Sequence, residues 1–110
     1  MHATLDRTFA ALGDPARRSI VRHLAGGSTT VGRLAEPFDI SRPAISKHLR
    51  VLSDAGIVEH QKDGREHWYS LSAGAFEEVE AWMDEIESTW ARALTSLKQI
   101  AEEAENDSRE

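Results

Sequence analysis

No cysteine occurs among the 110 residues. That removes disulfides, thiolate metal sites and thiol chemistry together, and it fits a reducing cytoplasm. No apolar run approaches the roughly 20 residues that span a bilayer. The opening "MHATLDRTFAAL" lacks the basic start and apolar stretch of a secretory leader. No Ser–His–Asp arrangement, Gly-rich phosphate loop or paired-carboxylate pocket is legible, so the sequence points away from an enzyme. The expectation is a soluble, cytoplasmic protein with no membrane segment and no cofactor, built as one domain over 1–110.

Basic residues are outnumbered, 13 to 19, for a formal net charge of -6. The imbalance is local. Residues 73–110 hold eleven acids and three bases, a balance of -8, whereas the first 72 residues balance at +2. The acidity therefore belongs to the C-terminal third, and the whole-chain pI says little about what the front part binds. Within Ser41–Arg50 there is no acid at all, but Arg42, Lys47 and Arg50 are present.

The front part reads as a series of helices. Leu5, Phe9 and Leu12 recur at helical spacing and "LGDP" ends that helix. Asp14 is placed as an N-cap with Pro15 at the first helical position. The next helix runs to about Ala25, turns Ile20, Val21 and Leu24 inward, and stops at the glycine pair 26–27. Ser28, Thr29 and Thr30 offer another cap, followed by a short helix, "TVGRLAEPF", that buries Val31, Leu34 and Phe38. After a tight connection Ser41 caps a fourth helix. Pro43 fits its first turn, Ile45, Leu49 and Leu52 share one face, and Gly56 closes it.

The period then changes. "IVEHQK" and "REHWYSL" alternate apolar and polar residues around Asp63-Gly64, a hairpin signal. From Ala73 the helical period returns. Phe76, Val79, Met83, Ile86, Trp90, Leu94, Leu97 and Ala101 advance by three or four, a stripe of about four heptads on a helix about 45 Å long. The fold class expected is mostly α with a small β-hairpin wing: a winged helix-turn-helix with a long C-terminal dimerisation helix. The helix-turn-helix covers 30–55, the wing 57–71 and the dimerisation helix 73–104.

This order carries a function. A short helix, a tight turn and a basic second helix followed by a hairpin is the plan of a DNA-reading module. Ser41, Arg42, Pro43, Ser46 and Lys47 lie off the buried stripe, where arginine can contact guanine and serine or lysine can reach base edges or phosphates. Arg50 adds to the same charge run. His48 reads either as a phosphate donor or as a packing residue beside Ile45. Lys62 and Arg65, on either side of the turn, suit a phosphate or a minor groove. A winged-helix module that only docks proteins is the alternative, and it would call for a neutral or acidic fourth helix and a blunt wing.

The stretches "LGDPARRSIVRHL", "TTVGRLAEPFDISRPAISKHLRVLSDAGIV" and "KDGREHWYSL" closely resemble the ArsR/SmtB family of bacterial winged-helix repressors, in order over about residues 5 to 72. The resemblance implies an operator-binding repressor and a homodimer built on the first and last helices. The implied partners are a double-stranded DNA operator and a second copy of the chain, with room for an effector of unspecified chemistry. By position it assigns DNA reading to Ser41, Arg42, Pro43, Ser46 and Lys47, with Lys62 and Arg65 at the wing. Leu5 and Phe9 on the first helix join Phe76, Val79, Met83, Ile86, Trp90, Leu94 and Leu97 as the expected dimer interface. Trp82 and Trp90 could line an effector pocket, but the stripe favours filling a dimer core.

The metal-sensing members of that family hold metal either through thiolates on the third helix or through His and carboxylate on the last. Here the third helix has no sulfur and the last helix no histidine, so no metal site is expected there. His60 and His67 stand seven apart across the hairpin, and without cysteine they do not read as a zinc site.

Overall fold

A computed structural model describes residues 3–109. Residues 1, 2 and 110 of the expected domain 1–110 lie outside them. The chain divides into two compact units, Met1–Glu78 and Val79–Glu110, where the sequence suggests one domain.

The first unit begins with α1 (Ala3–Leu12) and α2 (Pro15–Leu24). The joint between them is fixed by side chains from both sides. An Asp14 carboxylate oxygen accepts the Ala16 N–H at 2.8 Å and the Arg17 N–H at 3.2 Å, which satisfies donors that a helix start leaves unpaired. In return Arg17 Nε donates to the Ala11 carbonyl at 2.5 Å and Arg18 Nη1 to the Leu12 carbonyl at 2.6 Å. The last carbonyls of α1 are thus held by the helix that follows it.

The backbone N–H of Arg17 is the main cause that holds the Asp14 carboxyl below its ordinary 3.8; the Ala16 N–H, the Arg17 guanidinium and His48 add to it against a smaller opposing effect of burial. A carboxylate depressed in the folded state contributes stability that is present above its unfolded value and lost as pH falls through the folded one. Asp14→Asn, which keeps a capping oxygen, is therefore expected to flatten the loss of thermal stability below about pH 4 while leaving the helix capped. Melting temperatures of both proteins across the acid range check this: curves that stay parallel down to low pH contradict it.

After Gly27, Thr29–Thr30 form β1, and α3 (Val31–Ala35) starts with Thr30 as its cap. The helix ends before the Phe38 expected from sequence, because Pro37 has no N–H to continue the ladder. Helix α4 (Arg42–Asp54) opens behind Ser41, whose Oγ accepts the Ala44 N–H at 3.3 Å. Gly56, at φ 78°, then turns the chain out of α4. Strands β2 (Val58–Asp63) and β3 (Glu66–Leu71) form the hairpin.

Two features differ from the expected two-stranded wing. The sheet has three antiparallel strands in the order β1-β3-β2, with Thr29 opposite Tyr69. A two-residue strand is too short to show alternation in a sequence. The loop also sits one residue later than Asp63-Gly64. Asp63 pairs with Glu66, so Gly64 and Arg65 make the turn, with Gly64 at φ 64°. Glycine at the first central position with positive φ is what a type II′ hairpin turn requires. Arg65 is therefore at the tip itself rather than on the strand beside it.

The core of this unit gathers Ala11, Ile20, Leu24, Leu34, Ile45, Leu49, Leu52, Ile57 and Val58. Ile45, Leu49 and Leu52, the stripe expected of α4, are buried. Fully burying each such side chain is worth about 1.5–3 kcal/mol, so this stripe fixes which face of α4 points outward.

Helix α5 (Glu77–Arg109) has 33 residues and is about 50 Å long at 1.5 Å per residue. It begins four residues later than Ala73. Gly74 at φ 72° and the turn bonds from Ala75 N–H to Ser72 O and from Glu77 N–H to Gly74 O occupy the interval. Among the described residues no helix is long and apolar enough to cross a membrane.

Candidate nucleic-acid interface

With Ile45, Leu49 and Leu52 inward, the rest of α4 is decided by its 3.6-residue period. Arg42, Pro43, Ser46, Lys47 and Arg50 are exposed, and His48 is half-buried. Pro43 sits in the first turn, where its missing N–H is not needed, so it leaves the helix intact.

Ser41 spends its hydroxyl on the cap of α4, so its first role is to set where the helix starts. Arg42 follows at the first turn and lies back over α3. A Cβ built on Gly32 would stand 2.6 Å from its Nη2, so the absence of a side chain at Gly32 is what admits the guanidinium there. Arg42, Pro43 and Ser46 then line one side of an open cleft of about 720 Å3. The turn residue Arg65 and His60 and His67 of the hairpin line the other side. The structure thus brings together Arg42, Pro43, Ser46 and Arg65 out of the residues the sequence pointed to. Lys47, Arg50 and Lys62 are exposed but do not line this cleft. His48 faces differently again: its charge is felt by Asp14, the cap of α2.

The aromatic stack on the hairpin was not expected from sequence. His60 is directly opposite Tyr69, and Lys62 opposite His67, so all four share one face of the β2–β3 ladder. The His60 ring stacks on Tyr69 and on His67, each at 4.8 Å between centroids, and His60 Nε2 approaches His67 Nδ1 at 2.6 Å. Diagonal and direct neighbours on one sheet face are within reach of aromatic rings. The signal was available in the period-2 spacing of His67 and Tyr69, but the pairing register that adds His60 was not. Among the described residues no group of three or more His, Cys, Asp or Glu side chains is placed to hold a metal ion.

The second unit carries a different surface. Along α5 Met83, Ile86, Trp90, Leu94 and Leu97 are exposed, Trp90 by 64% and Leu97 by 63%, and Val79 is half-buried. Trp82 and Ile100 are also exposed on this helix. In the first unit Phe9 is exposed, but Leu5 is already buried and Phe76 packs on the core. Leu5 and Phe76, both expected at the dimer interface, are thus buried and half-buried within the single chain.

A helix-turn-helix domain model matches residues 12–61, from the end of α1 into β2. The transcriptional repressor SdpR of Bacillus subtilis is 38% identical over 79 residues, which cover 72% of this chain and 88% of that protein. A solved ArsR-like transcriptional regulator from Rhodococcus sp. RHA1 superposes with a TM-score of 0.77 at 36% identity, covering 91% of this chain and 94% of the other. The solution structure of a homodimeric winged helix-turn-helix DNA-binding domain from Mycobacterium bovis, a possible ArsR-family regulator, superposes with a TM-score of 0.62 at 27% identity, covering 74% and 80%.

Proposed function

The chain belongs to the ArsR/SmtB family of winged helix-turn-helix transcriptional regulators, and on that footing we propose that it is a homodimeric repressor that binds a palindromic duplex operator. The observation that carries the reading is the exposed basic start of α4, with Arg42 and Ser46 facing Arg65 of the hairpin across one cleft. Helix α4 enters a major groove, and Arg42, Ser46 and Lys47 reach base edges there, while Arg50 and the half-buried His48 stay nearer the backbone. Lys62 and Arg65 meet phosphates, which position the protein without carrying sequence information. Residues 30–55 are the helix-turn-helix, 57–71 the wing, and α5 the pairing element. The repressor name of the Bacillus relative and the homodimeric state of the Mycobacterium bovis domain support the reading. A module that only docks proteins is not favoured, because the exposed face of α4 carries three cations and no acid through Arg50.

Binding to the DNA ahead of its own reading frame and to a scrambled duplex, at several salt concentrations, tests this. Lys62→Ala and Arg65→Ala should weaken both duplexes by similar factors, and each should lower the salt slope by about 0.9 for every phosphate it leaves without a cation. An unmodified chain that holds the native duplex no better than the scrambled one at about 0.1 M salt would sink the reading.

A further inference from the structure

The stack His67–His60–Tyr69 faces the cleft beside α4 and has no part in the base and backbone contacts assigned above. Both histidines are exposed, so a ligand can reach them. Their nearest ring nitrogens stand 2.6 Å apart. Such a contact forms only when at least one of the two nitrogens carries no proton, since two N–H groups cannot share a hydrogen bond with each other. Tyr69 braces one face of His60, so the pair is held in place before anything binds.

The charges around the pair decide what it can accept. Arg42 faces it from the start of α4 and Arg65 from the turn. Lys62 stands opposite His67 in the ladder. Glu66 is the one acid lining the cleft among the described residues, and α3 and β1 contribute no charged side chain to it. Fixed positive charge therefore outnumbers negative, so the cleft suits an anion. A bound anion beside the imidazoles favours a proton on them, because an opposite charge within a few ångström favours the charged form. The guanidinium of Arg65, already assigned to phosphate, lines the same cleft and offers donors of the kind a phosphate diester accepts.

Resting on the DNA-binding reading above, we propose that His60 and His67 form the seat of one DNA backbone phosphate, and that the pair takes up a proton when the phosphate enters. The proton comes from solvent and goes to the free ring nitrogen of the donor imidazole, so that the N–H shared with its partner at 2.6 Å is kept, and no covalent bond between heavy atoms is made or broken. Binding then depends on pH in one direction. Imidazoles titrate between about pH 5 and 8, and each proton taken up tightens binding by at most about tenfold per unit fall in pH. A homodimer has two such seats.

The probe is a mixed-sequence duplex of about 30 base pairs, since a phosphate contact does not read sequence. From about pH 7.5 to pH 6 its affinity for the unmodified protein should rise by about 3- to 30-fold more than its affinity for the His60→Gln/His67→Gln double variant. Glutamine keeps a polar, hydrogen-bonding side chain on the exposed strand, and circular dichroism establishes that the variant is folded. Independently, the side-chain nitrogen resonances of His60 and His67 at about pH 7 should move toward imidazolium values when the duplex is added. Equal pH dependence in the two proteins, or resonances that stay unchanged under saturating duplex, overturns the phosphate seat while leaving DNA binding intact. A protein that binds no duplex at either pH overturns the DNA-binding reading itself.

Discussion

Ile86→Glu or Trp90→Glu should turn a stable dimer into a monomer and weaken operator binding by about two to four orders of magnitude. Trp90, Leu97 and Ile100 are each more than three-fifths exposed on α5. Contiguous apolar surface of more than a few hundred Å2 marks an interaction site, and one tryptophan presents about 150–250 Å2. A second copy of the same stripe is the occupant a homodimer provides. Burying one large apolar side chain is worth about 1.5–3 kcal/mol, and in a symmetric pair each contact occurs twice. A glutamate in its place brings an unpaired charge into the seam at a penalty of several kcal/mol. A monomer then engages one half-site, and the gain from linking two binding events, about 10²–10⁴-fold, disappears. Sedimentation and duplex binding of both variants check this; an unmodified protein that sediments as a monomer at micromolar concentration contradicts it.

Arg42→Ala should cost about 1–3 kcal/mol on the operator, roughly 5- to 150-fold in affinity, and relax preference at one or two base positions. The side chain stands at the first turn of α4, outside the face that Ile45, Leu49 and Leu52 bury. Its guanidinium lies beside Gly32, on the open cleft that faces the hairpin. The helix that carries it is held by the core and by the Ser41 cap. The discriminating measurement sets the variant's loss on the operator against its loss on a scrambled duplex. A loss confined to the operator assigns Arg42 to base reading, and an equal loss on both reduces it to an electrostatic anchor.

Much of this was legible in the sequence for reasons that are local. Caps at Asp14, Thr30 and Ser41 are short-range chemistry, and each stands where its residue type and the following apolar period place it. The Ile45/Leu49/Leu52 stripe sets the outward face of α4 by the same logic. What was not legible depends on partners distant in sequence. Thr29–Thr30 is a strand only because β3 offers an open edge at Trp68 and Tyr69, far along the chain. The turn at Gly64-Arg65 follows from the β2–β3 register, which periodicity alone leaves free by one residue. The His60–His67–Tyr69 stack needs that same register. The meeting of Arg42 with Gly32 needs the α3–α4 crossing. The late start of α5 arises because Gly74 takes a positive φ inside a stretch whose apolar spacing already looks helical.

The most direct test of DNA reading by α4 is selection by the unmodified protein from a pool of duplexes randomised over about three helical turns. Base reading by a two-fold pair of α4 helices predicts enrichment of an imperfect inverted repeat whose half-sites lie about one helical turn, roughly 10 to 10.5 base pairs, apart. A pool that stays random through selection, while the protein still retains duplex, would contradict it.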